Sequence, residues 1–389
     1  MNDSRIFQMP SVVHFGSGAA AQAGPEAEHL GLKRVLLVTD EILLQTGAVT
    51  PITDSLSKSR VEAIIFNKVA SEPVLAFVEE GLKILRQKKC DGIIAVGGGS
   101  PIDTAKAIAV MATNPGKIED YMGIGKIKNL GLPLIAVPTT AGTGSEMTIF
   151  TIITDTKRDV KMLIGSPHIM PRIALVDPLM TLGMPRGLTA ATGLDALTHA
   201  IEAYVSLKAQ PLSDVMALSA IERIFSNLPQ AWANPNNIEA RTQTLLGAMQ
   251  AGIAFSNASV ALVHGMSRPL GAYFHIPHGL SNATLLGVVM EFSIMGNPLR
   301  YARIAEVMGV DTAGLLPFEA AEEGVELVNR LVADLEVPSL KDLGVDKKKL
   351  DKVVEQMAKD AIASGSPGNN PRIATPQEIV SLYYKAFQG

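Results

Sequence analysis

The sequence predicts an α/β domain followed by an all-α domain. In the first half, short β-branched runs such as Val35–Thr39 and Gly92–Val96 alternate with stretches of helical spacing. This alternation predicts a parallel sheet covered by helices on both faces. From Gly187 onward Ala, Leu, Met and Glu predominate, and apolar residues recur at three- and four-residue steps, which predicts helices. We place the boundary near residue 185, which gives domains of residues 1–184 and 185–389.

The remaining predicted elements follow the same two patterns. Most of the strands are bounded by Gly, Pro or Asp, and the segment Ser364–Thr375 is predicted to be a loop. The other predicted strands are Ala63–Phe66, Leu134–Val137 and Ile173–Val176. The predicted helices are Val74–Leu85, Pro101–Met111, Leu188–Val205, Pro211–Phe225, Glu239–Phe255, Leu299–Met308, Phe318–Leu335 and Lys348–Ala363.

Composition excludes several classes of protein. The chain has 389 residues, of which 47% are hydrophobic and 19% charged, so most of it is expected to fold. A net charge of -4 argues against nucleic-acid binding, and one cysteine excludes a disulfide framework or a Cys-rich metal site. No signal peptide and no apolar run of membrane-spanning length is readable, so we expect a soluble cytoplasmic protein without a membrane partner. Its apolar composition is compatible with a homo-oligomer.

A glycine-rich turn follows the strand that ends at Val96. The residues are Gly97-Gly98-Gly99-Ser100-Pro101-Ile102-Asp103. Ser100 is predicted to be the N-cap of the next helix, with Pro101 in its first position and Asp103 completing a capping box. Glycines permit close backbone approach, and a helix N-terminus favours a pyrophosphate group. A tight turn without a ligand is an equally good interpretation of this loop alone.

Two further positions fit a dinucleotide. Asp40 ends an early strand, where a carboxylate can bind the ribose hydroxyls of NAD and would repel the 2′-phosphate of NADP; a helix N-cap is the alternative. The turn Pro138-Thr139-Thr140-Ala141-Gly142-Thr143-Gly144-Ser145-Glu146 places hydroxyl groups and glycines after another strand. It suits phosphates or a ribose, or it is a polar turn that satisfies its own backbone.

Four histidines and one aspartate form two clusters. Asp195 and His199 are four residues apart in a predicted helix, so their side chains lie on one face. The second cluster is His264, His275 and His278, in a stretch interrupted by proline and glycine that cannot form one regular helix and that is predicted to bend at His278, a loop histidine. One carboxylate and three imidazoles with an open coordination position predict a catalytic site for Fe²⁺, Zn²⁺ or Mn²⁺. An ordinary polar pair and loop histidines at an interface are the alternatives.

These motifs together resemble the iron-containing, or group III, alcohol dehydrogenases over nearly the whole chain. Further matches are Phe15-Gly16-Ser17-Gly18, Ala190–Tyr204 and Gly252–Asn257. The resemblance implies a dehydroquinate-synthase-like fold with the site in the cleft between its two domains. It also implies interconversion of a small alcohol or diol with an aldehyde, using NAD rather than NADP and one divalent metal, Fe²⁺ or Zn²⁺.

The resemblance also implies roles for individual residues. The metal ligands would be Asp195, His199, His264 and His278. The pyrophosphate would contact Gly97, Gly98, Gly99 and Ser100, in the motif that ends at Asp103, and Asp40 would bind the adenosine ribose. The rest of the cofactor track would be lined by Thr139, Thr140, Thr143, Thr148 and Lys161.

Two residues depart from the family pattern. Arg268 stands where many members have a histidine near the nicotinamide, and because arginine cannot act as a base, it would hold an anionic group of the cofactor or substrate. Arg268 and His275 are the predicted catalytic residues, and the proton would leave by way of His275, the ribose hydroxyl or water. Glu72 stands where many members have asparagine, which leaves that adenosine-side contact open.

Two other functions compete with the dehydrogenase. The same fold also supports a non-redox lyase of the dehydroquinate-synthase type that uses NAD and a metal. Such an enzyme needs many basic residues for a phosphorylated acid, whereas Arg268 is the only one between Gly247 and Arg300. A non-enzymatic metal-binding scaffold would not explain why two turns of the sequence are suited to bind phosphate groups.

Overall fold

A computed structural model describes residues 4–158 and 160–388. The contacts between residues divide the chain into two units, one of residues 8–183 and the other of residues 184–388 together with residues 4–7. In the described residues the first unit is α/β and the second is helical, so the predicted fold class is confirmed.

The first unit is built on a six-stranded, wholly parallel sheet. Its strand order is β1-β9-β6-β4-β2-β3. Strand β2 shows why the sheet is covered on both faces: Leu36 and Val38 belong to one apolar core cluster, Val35 and Leu37 to the other, and all four are fully buried. The strands of this sheet are β1 (Val12–Phe15), β2 (Arg34–Val38), β3 (Glu62–Phe66), β4 (Gly92–Gly97), β6 (Leu134–Pro138) and β9 (Ile173–Val176).

A second, three-stranded sheet was not predicted from the sequence. Its order is β5-β8-β7, with β7 and β8 paired antiparallel and Thr154 opposite Lys161. Its strands are β5 (Gly123–Ile124), β7 (Phe150–Asp155) and β8 (Val160–Gly165). The helices of this unit are α1 (Ala23–His29), α2 (Glu41–Gln45), α3 (Thr50–Lys58), α4 (Leu75–Lys88) and α5 (Gly99–Met111).

The second unit contains only helices and their connections among the described residues. Helix α6 is buried along most of its length, as its Ala- and Leu-rich sequence requires. The helices are α6 (Arg186–Val205), α7 (Pro211–Ala233), α8 (Ile238–Ala258), α9 (Leu262–Phe274), α10 (His278–Ser293), α11 (Pro298–Val307), α12 (Pro317–Asp334), α13 (Lys347–Ala363) and α14 (Pro376–Gln388).

Two local predictions were wrong. Helix α5 begins at Gly99 with Gly98 as its N-cap and without a side-chain cap, so Ser100 and Asp103 form no capping box. The Asp103 carboxylate instead accepts hydrogen bonds from the Ser145 hydroxyl and the Ile152 N–H, because burial directs it toward the next layer. His278 is not a loop residue: it is the first residue of α10, directly after Pro277.

One helix is apolar enough to be compared with a membrane span. The stretch His278–Gly296 is long and apolar enough to span a membrane. Helices α8 and α9 reach that length and hydropathy only together, and the angle between them is 102°. Of the first stretch, 56% is buried inside the structure. A helix in the core of a soluble protein meets the same criteria of length and hydropathy, so this stretch does not by itself indicate a membrane span.

Candidate metal centre and cofactor turns

Helix α6 carries three acidic or imidazole side chains on one face. Asp195, His199 and Glu202 are four and three residues apart, which aligns them along the helix. All three are nearly fully buried. A buried carboxylate needs a charged or hydrogen-bonding partner, so this face of the helix is expected to meet one.

Glu202 determines how the next ligand helix begins. One of its carboxylate oxygens accepts the Val263 N–H at 2.5 Å, and the other accepts the Ala261 N–H at 2.9 Å. The latter oxygen also lies 2.6 Å from Nδ1 of His264. A hydrogen bond to Nδ1 places the ring proton there and leaves the lone pair of Nε2 available. Glu202 therefore orients both the start of α9 and the His264 imidazole.

The four predicted metal ligands converge. One ligand atom from each of Asp195, His199, His264 and His278 lies within 4.8 Å of those from the other three. The Oδ1 atom of Asp195 is 3.7 Å from Nε2 of His264 and 3.7 Å from Nε2 of His278. Ligands bound about 2.1 Å from one ion lie roughly 3–4 Å apart, so small side-chain shifts suffice to hold an ion.

Electrostatics also favour a cation at this position. Burial alone would raise the pKa of Asp195, but the imidazoles of His199, His278 and His264 outweigh it and hold the pKa well below its usual range. Burial would lower the pKa of His264, and the Glu202 carboxylate overcomes this and raises the pKa to about 9. Among the described residues, no lysine or arginine forms an ion pair with Asp195 or Glu202. These nitrogen and oxygen donors fit Fe²⁺ or Zn²⁺.

Two neighbours complete the walls of the centre. Nδ2 of Asn282 lies 2.6 Å from Oδ1 of Asp195, 3.1 Å from Nε2 of His264 and 3.2 Å from Nε2 of His278. The Phe255 ring stacks on His199 with centroids 4.2 Å apart, which provides an apolar wall. The His278 side chain is 42% exposed, whereas those of the other three ligands are at most 7% exposed, so the centre opens on the His278 side.

In the α/β unit, the two turns predicted to bind the cofactor lie next to each other. Strands β4 and β6 are neighbours, with Gly97 opposite Pro138, and the Thr139 N–H donates to the Gly97 carbonyl. A Cβ on Gly98 would lie 3.3 Å from Thr140, and a Cβ on Gly99 would lie 3.0 Å from Thr143. The glycines are needed for this close approach, which is independent of any ligand.

A buried lysine connects the two turns to each other. The Lys106 ammonium donates to the hydroxyl groups of Ser145 and Thr148 and to the Phe150 carbonyl, at 2.7–3.1 Å. Asp103 accepts from the same Ser145 hydroxyl. Thr148 is therefore engaged inside the protein, and Asp103 braces the two turns rather than capping a helix.

The other predicted cofactor residues, Asp40 and Lys161, lie at the ends of strands that belong to different sheets. One Asp40 oxygen accepts the Leu43 N–H at 2.8 Å, so Asp40 does cap α2, and no hydrogen bond to its second oxygen is found within the described residues. The Lys161 ammonium pairs with Glu72 at 2.7 Å. The departure from the family pattern at Glu72 is thus linked to a residue of the predicted cofactor track.

The two predicted catalytic residues belong to α9 and its end. His275 is the C-cap, with φ of 57° in the left-handed region, and it is exposed. Arg268 lies one turn after His264 and is half-buried. Burial lowers the pKa of its guanidinium, against the charge of Glu202, but the group stays protonated at physiological pH.

Sequence reasoning did not identify Glu202, Asn282 or Lys106. Glu202 follows His199 by three residues and Asn282 follows His278 by four, so helical spacing was the signal that could have found both. Lys106 offered no such signal, because a helical lysine is usually exposed.

Comparison with known proteins agrees with the fold and the site. Residues 10–178 match the sequence profile described as "Iron-containing alcohol dehydrogenase", and residues 189–387 match "Fe-containing alcohol dehydrogenase family, C-terminal". The "Choline dehydrogenase" of Bacillus subtilis (strain 168) is 39% identical, over 100% of this chain and 96% of that protein. The "NAD-dependent methanol dehydrogenase" of Bacillus methanolicus is 37% identical, over 98% and 99%.

A solved structure agrees as closely. The crystal structure of "1,3-propanediol oxidoreductase" superposes with a TM-score of 0.96 at 40% identity, covering 99% of this chain and 100% of that one. The chain therefore belongs to the iron-containing alcohol dehydrogenase family, and it is a metal-dependent oxidoreductase that uses NAD to interconvert alcohols and aldehydes.

Proposed function

We propose that the protein interconverts a short alcohol or diol and its aldehyde, with the cation held by Asp195, His199, His264 and His278. The convergence of these four side chains on one point carries the proposal. When bound, the metal supplies a Lewis acid that lowers the pKa of the alcohol hydroxyl, and NAD supplies the hydride acceptor. A protein base that removes the hydroxyl proton would then not be required for the hydride transfer from carbon.

The other side chains bind, orient and exclude water. Glu202 keeps the proton of His264 on Nδ1, so that Nε2 faces the centre. Phe255 covers His199 and keeps water from that side. The exposed His275, three residues before His278, takes up the released proton and passes it to solvent.

The glycine turn and its neighbour hold the cofactor. The N–H groups at the start of α5 face the position where a pyrophosphate would bind, and Thr139, Thr140 and Thr143 complete that surface. Asp40 offers its second carboxylate oxygen to the ribose, so the proposal favours NAD over NADP. We further propose a cytoplasmic homo-oligomer.

A spectrophotometric assay tests the function. The protein, loaded with Fe²⁺ or Zn²⁺, is incubated with NAD⁺ and a panel of short alcohols and diols, and NADH is followed by absorbance. Net NADH formation is expected, and it should disappear in His278→Ala together with bound metal. Substrate conversion without net NADH would instead identify the non-redox lyase.

The preference for NAD has its own test. Asp40→Asn removes the charge that would repel a 2′-phosphate but keeps a helix-capping oxygen. We expect the ratio of the Kd for NADPH to the Kd for NADH to fall about tenfold, which corresponds to about 1.4 kcal/mol. Fluorescence titration measures both constants, with Asp54→Asn as the matched control. An unchanged ratio would remove Asp40 from the ribose site.

A further inference from the structure

Arg268 is a half-buried charge without a partner among the described residues. Its guanidinium makes no hydrogen bond and no ion pair within residues 4–158 and 160–388. Arg241, which is 1% exposed, shows the usual alternative: its guanidinium donates to Pro235, Thr189 and Met184. A desolvated guanidinium costs free energy unless an anion or several acceptors meet it.

The position of Arg268 relates it to the metal centre. It follows His264 by four residues on α9, so both side chains lie on one face, about 6 Å apart along the helix axis. The same face continues with Gly271, which adds no side chain, and ends at the exposed His275. The Glu202 carboxylate is the acidic group whose charge acts on Arg268. Both of its oxygens are hydrogen-bonded to Ala261, Val263 or His264, so it forms no ion pair with Arg268.

The formal charges leave one positive charge uncompensated. Asp195 and Glu202 contribute two negative charges, which a divalent cation would balance. Arg268 then adds one positive charge at the site, and no described residue offsets it. A neutral alcohol would leave that charge unpaired, whereas an anionic substrate would complete the balance.

We propose that the substrate carries an oxyanion, a carboxylate or sulfonate, that binds Arg268 while its alcohol or aldehyde group faces the metal ligands. The proposal rests on the function proposed above and narrows its substrate class. His264 and Arg268 are separated by one helical turn. This distance suits a substrate with about two to four carbons between its oxyanion and its alcohol or aldehyde group. Guanidinium groups bind such planar or tripodal oxyanions through two parallel hydrogen bonds.

A phosphate of the cofactor is the other source of an oxyanion. The structure favours the substrate, because the pyrophosphate already has a suitable site at the glycine turn before α5, in the α/β unit. Arg268 instead lies one helical turn after His264 on α9, beside the proposed metal centre. The experiment separates these two sources.

The test compares two aldehydes of equal length. Succinate semialdehyde and butanal are reduced with NADH by the zinc-loaded protein, and kcat/KM is measured for each. We expect the wild type to favour the anionic aldehyde by about 10- to 100-fold, mainly through KM, which is the range for one charge-assisted contact. Arg268→Gln should bring the ratio close to one, and Arg268→Lys should keep part of it.

Controls keep the outcome unambiguous. Arg303→Gln removes an exposed arginine on α11 that pairs with Glu306, and it should leave the ratio unchanged. Binding of butyrate, measured by calorimetry with zinc and NAD⁺ present, should weaken in Arg268→Gln by a similar factor; it requires no turnover. Melting temperatures identify variants that fail to fold. If Arg268→Gln does not fold, the proposal is tested by the wild-type ratio of the two kcat/KM values and by butyrate binding to the wild type.

Three results would contradict the proposal. Equal kcat/KM values for the two aldehydes in the wild type would do so, as would undetectable butyrate binding. Weakened NADH binding in Arg268→Gln with an unchanged aldehyde ratio would assign the arginine to a cofactor phosphate. If neither aldehyde is reduced but butyrate binds through Arg268, the proposed reaction fails while the anion site stands.

Discussion

Each unit of the protein contains a buried polar cluster, and the two differ in their charge balance. In the α/β unit, Lys106 lies among Asp103, Glu146 and the hydroxyl of Ser145, which we call the lysine cluster. In the helical unit, Asp195 and three histidines meet around one point with Glu202 behind them, which we call the ligand cluster. Most of the side chains in both clusters are buried, and the ligand cluster opens to solvent only at His278.

The lysine cluster contains its own cation. Burial lowers the pKa of Lys106 to about 8, raises that of Glu146 to about 7 and also raises the pKa of Asp103, so the Lys106 ammonium is the positive charge that faces these two carboxyl groups. The ligand cluster has carboxylates and imidazole lone pairs, but no lysine or arginine of the described residues pairs with them. Only imidazoles provide positive charge in the ligand cluster, and a bound cation would take the place of their protons, whereas Arg268 is a permanent cation that lacks an anion.

The largest expected effect comes from removing the cation of the lysine cluster. Lys106→Met removes the positive charge that acts on buried Asp103 and the donor to Ser145 and Thr148, and removing one charged member of such a buried cluster costs about 3–5 kcal/mol. We expect a marked fall in melting temperature, measured by calorimetry. Lys58→Met, an exposed lysine at the end of α3, is the control. A fall no greater than that of the control would mean that the cluster is not charge-balanced by Lys106.

A pH series tests the same cluster more finely. Burial raises the pKa of Glu146 from 4.5 to about 7, so the folded state keeps this proton where the unfolded chain has lost it. Wild-type stability therefore declines as pH rises from about 4.5 to 7, and Glu146→Gln has no such proton to lose. Relative to wild type, the variant should gain about 2 kcal/mol between pH 5 and pH 8, by urea unfolding. Glu28→Gln, at an exposed site, should show no such trend.

In the ligand cluster, the residue that orients His264 can be changed while all four predicted metal ligands are kept. Glu202→Gln keeps the shape of the side chain but weakens the bond that orients His264. Loss of such a supporting partner typically weakens metal binding by about 10- to 100-fold. Competition with a chromogenic zinc chelator measures the Kd, and Glu222→Gln, exposed on α7, is the control. Equal affinities for Glu202→Gln and wild type would show that Glu202 does not position His264.

The smallest effect concerns Asn282. Its amide nitrogen donates to the Asp195 carboxylate and lies within 3.2 Å of two imidazole nitrogens, whereas a carboxylate has no N–H to donate. Asn282→Asp adds negative charge to a cluster that already lacks a cation. We expect the melting temperature in chelator to fall by a few degrees, since about 1 kcal/mol corresponds to 2–4 °C in a domain of this size. The rise on adding Zn²⁺ should exceed that of wild type, and a smaller rise would contradict the charge argument.

The sequence predicted the fold class for a physical reason, whereas the choice of His264 and His278 as ligands rested on the resemblance to the family. Helical and strand periodicity are local, and the spacing between Asp195 and His199 on one helix is local as well. Asp103 was wrongly predicted to complete a capping box because its bonds to Ser145 and Ile152 form across 42 and 49 residues of sequence. The missing partner of Arg268 is likewise visible only when the packing of the whole helical unit is known.

Metal content measures the central claim most directly. Wild-type protein and the double variant His199→Ala/His264→Ala are dialysed against Zn²⁺ and then against buffer, and metal per chain is determined by mass spectrometry. We expect one zinc per wild-type chain and essentially none in the double variant. Lys106→Met, measured under conditions in which it is folded, should retain its zinc. One zinc per chain in the double variant would contradict the claim that the ligand cluster is the metal site.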